Sequence, residues 1–314
     1  MIMRSAETCS LRVLEGIRIL FTGLSAFPLT PLQNDAVDEA SFSALVTRLA
    51  ASEVDSIAVL GSTGSYAYLS REERRRVVQL AAANAGSKPL IVGVGALRTS
   101  EVIANVRSAE DAGAAGILLA PMSYQVLTDD DVYGLFRDVT ETTDVPVVVY
   151  DNPGTTHFTF SADLYGRIAE LPGVASIKIP PVSAAAARER VSAVRAVIPE
   201  TVSIGISGDA AAADGLNAGC DAWYSAVAGT LPEPALRIMR AVREGRSEEA
   251  ASESARLAPL WSLFAEHGSL RVIAAAAEHL GLAPQNCLPL PVRGLGAADR
   301  RRMAAALEAL GLAA

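Results

Sequence analysis

The amino-acid sequence predicts an α/β protein, a (β/α)8 TIM barrel with a C-terminal helical appendage. From Phe21 onward, short apolar runs rich in β-forming residues alternate with amphipathic, alanine-rich segments. This is the pattern of parallel strands joined by crossover helices. Eight strand and helix pairs follow one another without a long interruption, which favours a closed barrel over an open sheet. A length of 314 residues accommodates one such barrel with extra helices.

Each predicted strand is a run of five or six mostly apolar residues. The eight runs are Thr22–Phe27, Ser56–Leu60, Leu90–Val94, Gly116–Ala120, Pro146–Tyr150, Val174–Ile179, Val202–Ser207 and Ala222–Ala226. A helix is predicted after each, and Ser70 before two glutamates is typical of a helix start. The eight helices are Asp38–Ala51, Arg71–Ala85, Ser100–Ala112, Asp129–Thr142, Ala162–Glu170, Ser183–Ile198, Ala210–Ala218 and Glu233–Glu244.

Three further helices are predicted after the eighth unit, at Ser247–Ala265, Leu270–Leu280 and Ala297–Leu310. They are too many for the barrel itself, so they are assigned to the appendage. Ala283–Gly296, rich in proline and glycine, is predicted to be irregular. We therefore expect three parts: an N-terminal extension at 1–19, a catalytic barrel at 20–245 and C-terminal helices at 246–314.

Charge and cysteine content exclude several function classes. With 27 basic and 35 acidic residues the net charge is -8, which argues against a nucleic-acid or anionic-membrane partner. The arginine runs 74–76 and 300–302 are interpreted as solvated helix faces. Cys9, Cys220 and Cys287 form neither a disulfide pattern nor a zinc motif. With no signal peptide or membrane span predicted, we expect a cytoplasmic protein.

Lys178 is the least expected residue, because lysine is rare inside a short apolar strand unless it is paired or chemically employed. Val174, Ser176 and Lys178 share one face of the strand. If that face points into the barrel, burial lowers the pKa of the amine, and the neutral amine can attack a ketone to form a Schiff base. A strand-end lysine that reaches water or pairs with a carboxylate is an equal alternative at this point.

Two other strand ends carry groups suited to chemistry. The turn Gly61-Ser62-Thr63-Gly64 offers backbone N–H groups and two hydroxyls that could hold a carboxylate or phosphate, although a simple tight turn explains it equally well. Tyr150 ends the fifth strand, where a phenol can carry protons or can be an ordinary buried tyrosine.

Histidines and glycine motifs carry little signal. His157 follows the fifth strand and could touch the pocket, whereas His267 and His279 are interpreted as structural or exposed. No metal site is predicted, because no second ligand clusters with a histidine at ligand spacing. The run 93–95 lacks the last glycine of a dinucleotide loop. No cofactor is expected.

Taken together, these motifs resemble the dihydrodipicolinate synthase and N-acetylneuraminate lyase family. The likeness comprises the turn at 61–64, Tyr-x-x-Pro at 150–153, Ile-Lys at 177–178, and matching segments at 26–31, 93–95, 121 and 207–209. The resemblance implies a metal-free class I aldolase or lyase. In it Lys178 forms an imine with pyruvate or another 2-oxo acid, Tyr150 relays protons, and Ser62 and Thr63 of the Gly61 turn bind the carboxylate. Ser207 and Tyr224 are further candidates for substrate binding, and a homotetramer or homodimer is implied.

Several positions depart from the family pattern. Thr155 stands where the synthase has an arginine that grips the carboxylate of the aldehyde, and threonine cannot make that contact. The family's second tyrosine aligns with Ser123, and the adjacent Tyr124 is the candidate replacement in the proton relay. Asp151 replaces an asparagine, and Tyr224 is bulkier than the usual aliphatic residue.

These departures favour a divergent aldolase acting on a 2-oxo acid with an aldehyde or a sugar-acid-like substrate. The alternatives are 4-hydroxy-tetrahydrodipicolinate synthase of lysine biosynthesis, a non-catalytic 2-oxo-acid-binding protein, and a barrel enzyme that binds phosphate near Ser207.

Overall fold

The chain forms a closed barrel of eight parallel strands, which confirms the predicted fold. The structure, a computed structural model, describes residues 21–313, so the expected extension at 1–19 lies outside the described residues. Around the barrel the strands run in the order β1-β10-β9-β8-β7-β6-β5-β4, and β1 closes on β4. Their bounds are β1 Gly23–Ala26, β4 Ser56–Val59, β5 Leu90–Gly93, β6 Gly116–Leu119, β7 Val147–Tyr150, β8 Val174–Ile179, β9 Ser203–Ile206 and β10 Ala222–Ser225.

Helices cover the outside of the barrel, as the apolar periodicity predicts. They are α1 Glu39–Ala50, α2 Arg71–Asn84, α3 Thr99–Asp111, α4 Asp129–Thr140, α5 Pro153–Thr156, α6 Ala162–Ala169, α7 Ala184–Arg195, α8 Ala212–Asn217 and α9 Pro232–Arg243. Four of these helices, α1, α2, α4 and α6, are capped at their starts by side chains, and Ser70 makes the reciprocal capping pair with Glu73 before α2. The ends of the predicted elements shift by a few residues.

Two small elements escape prediction. Leu32–Gln33 (β2) and Ala36–Val37 (β3) form a two-stranded antiparallel hairpin beside the barrel. Its turn residues Asn34 and Asp35 both adopt the left-handed conformation, which suits a two-residue hairpin turn. The strands are too short for alternation to show in the sequence. The one-turn helix α5 at the mouth of the barrel was also not predicted.

Strand β8 differs from the predicted face pattern at its start. Lys178 and Ser176 point into the barrel, but Val174 packs in the outer layer between strands and helices. The pairing with β7 shifts there, because Val147 faces Val174 whereas Val148 faces Ser176. Ala175 is the extra residue, and its side chain packs inside the barrel with Val148 and Tyr150. The predicted common face of Val174, Ser176 and Lys178 was therefore wrong for Val174, since a bulge resets the alternation.

The appendage consists of four helices rather than three. They are α10 Ser247–Arg256, α11 Ala258–His267, α12 Ser269–His279 and α13 Ala297–Ala309. The predicted single helix Ser247–Ala265 is divided at Leu257, because Pro259 has no N–H and stands in the first turn of α11. The division of the chain at residues 245 and 246 stays a prediction. Within the described residues, no helix has both the length and the apolar character needed to cross a membrane.

The arginine runs are not simply solvated faces, as the sequence suggested. Arg74 is only 6% exposed and donates to the carbonyls of Gly93 and Gly95 at 3.0 and 2.9 Å. Burial lowers the pKa of its guanidinium to about 10. Position 93 requires glycine, because a side chain there would meet the Leu60 carbonyl oxygen at 1.8 Å. Close packing and a buried arginine therefore account for the 93–95 glycines.

Candidate active site

A cavity of about 640 Å³ opens at the carboxyl ends of the strands. This is the end of a TIM barrel where active sites lie, and the volume is within the range of ligand clefts. Strand ends and loops of the barrel form one wall, and α11 with the start of α12 forms the other. Five of the six predicted substrate-binding residues line the cavity together with Tyr150 and Lys178, namely Ser62, Thr63, Thr155, Ser207 and Tyr224.

The amine of Lys178 lies inside an aromatic cage. Its Nζ is 4.0 Å from the ring centre of Tyr150, 4.1 Å from that of Phe27 and 5.5 Å from that of Tyr224. The side chain is 4% exposed, and burial lowers the pKa of the amine to about 7. Among residues 21–313, no side chain forms a hydrogen bond or salt bridge with Nζ. A large share of the molecules therefore carries a neutral, nucleophilic amine near neutral pH.

The nearest acidic influence on Lys178 is Asp209, at the start of the turn after β9. This carboxylate accepts from the Ser225 hydroxyl at 2.7 Å and from the Val227 N–H at 3.2 Å. Burial raises its pKa to about 6, while these two hydrogen bonds and Lys178 oppose that rise. The Asp209 carboxylate therefore already accepts hydrogen bonds from the end of β10 and from the turn that follows it. Asp209 therefore moderates the lowered pKa of Lys178 without capturing the amine in an ion pair.

Tyr150 takes part in a small hydrogen-bond network. Asn152 Nδ2 donates to the Tyr150 hydroxyl at 2.8 Å and to Ser62 Oγ at 3.3 Å. The Ser62 and Tyr150 oxygens are 3.2 Å apart. Burial raises the pKa of Tyr150, although Ser62 and Asn152 oppose the rise. Because Asn152 supplies the donor, the protonated phenol can donate its own proton to Ser62 or to a bound molecule.

The turn after β4 is shaped by unusual backbone conformations. Leu60 and Ser65 flank it, and both adopt the left-handed region, with φ of 57° and 56°. Gly64 permits the close return, because a side chain there would meet the Leu60 nitrogen at 2.9 Å. Such strain persists where the surrounding structure holds it and is common at ligand sites. The result is that Ser62 and Thr63 project their hydroxyls onto the cavity wall.

Tyr224 fills space that a missing side chain leaves. A side chain at Gly205 would meet the Tyr224 ring at 2.1 Å, and Gly205 is the β9 residue paired with Lys178. The Tyr224 hydroxyl lies 2.8 Å from Ser176 Oγ, deep in the barrel. The ring also packs edge-on against Phe27, with centres 6.0 Å apart. Tyr224 therefore lines the cage beside the amine rather than the cavity mouth.

Three predicted site residues do not line the cavity. Gly61 is buried under the Phe27 ring, which a side chain at 61 would meet at 2.7 Å. The Ser123 hydroxyl accepts a hydrogen bond from the Gln125 N–H in its own loop. Tyr124 is 91% exposed. His157, which the sequence placed near the pocket, is exposed outside the lining, whereas His267, interpreted as structural or exposed, lies on the cavity wall.

Sequence reasoning missed the wall formed by the appendage. Trp261, Phe264, His267 and Arg271 line the cavity from α11 and α12. Each comes from a helix with no strand end beside it, so a search of strand ends could not find them. Barrel residues that were missed are Phe27, Tyr66, Tyr68, Asn152 and Asp209. Asn152 and Asp209 do follow predicted strands directly, and that position was the available signal.

One cluster near this wall has the composition of a cation site. Glu266, His267 and Asp299 place ligand atoms within 4.8 Å of one another, although the sequence showed no such grouping. Arg302 donates to Glu266 at 2.7 Å and to Asp299 at 2.9 Å. The two carboxylates are therefore already compensated by a guanidinium.

The sequence profile of the Dihydrodipicolinate synthetase family matches residues 20–310. The chain belongs to this family. A 4-hydroxy-tetrahydrodipicolinate synthase of Phenylobacterium zucineum is 32% identical over 295 residues, covering 93% of this chain and 98% of the relative. A crystal structure of dihydrodipicolinate synthase from Agrobacterium tumefaciens is 47% identical, with a TM-score of 0.91, covering 94% of this chain and 99% of that one.

A structure described as a monomeric dihydrodipicolinate synthase variant is also similar. It is 26% identical, with a TM-score of 0.85, and the match covers 94% of this chain and 98% of that one. These relatives confirm the resemblance that the sequence indicated. The chain is an enzyme of the family, a lyase of the class I aldolase type, as the sequence predicted.

Proposed function

We propose that the chain joins or cleaves a 2-oxo acid, such as pyruvate, and an aldehyde through an imine on Lys178. The observation that carries the proposal is the position of this amine, buried in an aromatic cage with no ion-pair partner in the described chain and facing a cavity. A lysine of that kind is poised to attack a carbonyl carbon, because burial disfavours its ammonium form.

The reaction follows from amine chemistry. The neutral Nζ adds to the ketone carbon of the 2-oxo acid, and the carbinolamine loses water to give an imine. Loss of a proton from the adjacent carbon gives an enamine, whose carbon attacks the aldehyde and forms the new carbon–carbon bond. Water then hydrolyses the product imine and restores the amine. Cleavage runs through the same steps in reverse.

Tyr150 is assigned the proton transfers. Its hydroxyl is on the cavity wall, its ring lies 4.0 Å from Nζ, and its raised pKa keeps the phenol protonated near neutral pH. Ser62, 3.2 Å away, provides the next oxygen of a relay. Ser62 and Thr63 also supply hydroxyls for the carboxylate of the 2-oxo acid, a negative group that hydroxyl and backbone donors accommodate.

The second substrate has two candidates. The sequence favours an aldehyde or a sugar-acid-like substrate, and this agrees with Thr155, which lines the cavity and offers no positive charge to a carboxylate on the aldehyde. The relatives, which are 4-hydroxy-tetrahydrodipicolinate synthases, provide the other candidate, an aldehyde that carries a carboxylate.

The imine is tested by reduction with borohydride. The sequence contains two lysines, Lys88 and Lys178, so the control is matched: Lys88 donates to the Val54 carbonyl at the opposite end of the barrel. Incubation with pyruvate and borohydride, followed by intact-mass and peptide analysis, should add one reduced pyruvate at Lys178. The adduct should be absent in Lys178→Ala and retained in Lys88→Ala. Absence of an adduct in the wild type, or an undiminished adduct in Lys178→Ala, contradicts the proposal.

A homo-oligomer is part of the proposal. Tyr124 and Val126, in the loop after β6, are 91% and 96% exposed, and large apolar side chains exposed together favour contact with another surface. A second copy is the partner that the family resemblance implies, and Tyr124 would enter its proton relay. Sedimentation velocity measures this: a monomer at micromolar concentration would contradict it. A cytoplasmic location stays a prediction.

A further inference from the structure

The cavity contains a cation in a place where the sequence gave no reason to expect one. Among the described residues of its wall, Arg271 is the only arginine, and Asp209 is the only carboxylate. Lys178 is committed to the imine, so it cannot serve a second anionic group. Thr155, where an arginine would serve, is neutral.

We propose that Arg271 is the specificity residue for the second substrate and binds a carboxylate at its far end. This rests on the proposed function and deepens it, because it selects an aldehyde that carries a carboxylate over an aldehyde without one. A guanidinium recognises a carboxylate through parallel N–H donors, and few other side chains do so with comparable geometry.

The Arg271 guanidinium is oriented by two hydrogen bonds and retains N–H donors without an acceptor in the described chain. Its Nε donates to the Arg293 carbonyl at 3.0 Å, and its Nη1 donates to the His267 carbonyl at 3.5 Å. Within residues 21–313 no acidic side chain pairs with Arg271, and its Nη2 has no acceptor. Two carbonyls fix the orientation of the plane, and the remaining N–H donors are free for an anion.

The neighbours of Arg271 fit the same role. It stands in the first turn of α12, where backbone N–H groups lack helical acceptors and the helix end favours negative charge. Trp261 and Phe264 cover the same wall, with ring centres 5.5 Å apart. They provide apolar surface for the carbon chain that joins the aldehyde to its carboxylate. The reacting end and the anionic end would therefore bind to different walls of one cavity.

The experiment uses imine formation, so that no second substrate needs to be known. A seven-carbon 2-oxo diacid, 2-oxoheptanedioate, has the carbon count of pyruvate plus a four-carbon aldehyde acid. Its monoacid analogue, 2-oxoheptanoate, lacks the distal carboxylate. Each competes with pyruvate for Lys178 during borohydride reduction, and the adduct masses give the relative affinities. The wild type should favour the diacid by about 10- to 100-fold, the size of a hydrogen bond to a charged group.

The variants separate the two proposals. Arg271→Ala should lose the preference for the diacid but trap pyruvate as the wild type does, whereas Arg271→Lys should keep only part of it. Arg301→Ala, an exposed arginine on α13, should leave it unchanged. A wild type without preference, or an equal preference in Arg271→Ala, overturns the role of Arg271. Failure of every protein to trap pyruvate overturns the imine instead.

Discussion

The two walls of the cavity handle charge in opposite ways. On the barrel wall, Lys178 and Asp209 are buried, and both pKa values move toward the neutral forms, to about 7 and about 6. On the appendage wall, the guanidinium of Arg271 is exposed to solvent. A nucleophilic amine must lose a proton, which burial favours, whereas recognition of an anion needs a lasting charge, which water sustains. Under the two proposals, reactivity and selectivity therefore belong to different walls of the cavity.

Replacing Tyr150 with phenylalanine tests the barrel wall most severely. Turnover should fall by about 10²–10⁴-fold, because a positioned proton carrier contributes that much. Equilibrium trapping of pyruvate on Lys178 should persist, since the cage retains its ring. Steady-state kinetics and borohydride trapping measure the two effects. Equal turnover in both proteins would show that the phenol moves no proton that limits the reaction.

Removing one ion pair tests the appendage wall for stability. Glu278 on α12 has a side chain only 1% exposed, pairs with Arg300 of α13 and accepts from the Cys287 N–H at 3.1 Å. Arg300→Met should lower the free energy of unfolding by about 3–5 kcal/mol, because it leaves a buried charge uncompensated.

Urea denaturation measures the loss, with the neighbouring Arg301→Met as the control. That exposed substitution should change stability by less than about 0.5 kcal/mol. A loss below about 1 kcal/mol in Arg300→Met would mean that the Glu278 side chain is not left buried without compensation when its partner is removed.

The rate of imine formation and the preference for the diacid should depend differently on pH. Imine formation with pyruvate should slow about tenfold for each pH unit below 7, because only the neutral amine attacks and the pKa of Lys178 is about 7. The diacid preference due to Arg271 should not change over that range. The groups that face Nζ are Asp209, Tyr150, Tyr224 and Phe27. Rapid-quench trapping between pH 5 and 9 measures the rate, and a flat profile contradicts a lowered pKa.

The same pKa shift predicts how stability depends on pH. Between about pH 7 and 10.5 the unfolded chain holds the Lys178 proton and the folded chain does not. The contribution of this residue to stability should therefore rise with pH across that window. Asp209 acts in the opposite direction between 3.8 and about 6, where the folded chain holds the extra proton. Lys178→Met should flatten the upper window in urea titrations, and an unchanged slope would assign it to another group.

The smallest effect is expected from moving the positive charge from position 271 on the appendage wall to position 155 on the barrel wall. Thr155→Arg in the Arg271→Ala background should restore about a two- to fivefold preference for the diacid, as an exposed ion pair provides. Competitive trapping of the two 2-oxo acids measures it. Thr155→Gln is the control of similar reach without charge. Equal results for arginine and glutamine would show that position 155 does not face the distal carboxylate.

The sequence was sufficient for the barrel and for the residues that its strand ends bring to the cavity. The eight strands, Lys178, Tyr150 and the turn at 61–64 were all found, because strand ends in a barrel converge and a lysine in an apolar strand is conspicuous. The wall made by α11 and α12 was not found. His267 and Arg271 look like ordinary helix residues, and only the packing of the appendage over the barrel mouth brings them to the cavity.

Smaller errors have local physical causes. Arg74 sits in a run of three arginines, and the sequence does not reveal which of them turns inward to the carbonyls of Gly93 and Gly95. The bulge at Ala175 reversed the assignment of Val174, because alternation assumes a regular strand. Pro259 did signal the break between α10 and α11, since proline favours the first turn of a helix.

Gly205 and Tyr224 share one volume directly beside the nitrogen of Lys178. The width of the barrel at that depth is consequently a joint property of two positions, and neither can be redesigned alone. Trimming the tyrosine would open a hollow, and adding a methyl group to the glycine would collide with the ring. A designer who wants room for a branched 2-oxo acid has to exchange both residues together, giving a small residue to β10 and a methyl-bearing one to β9.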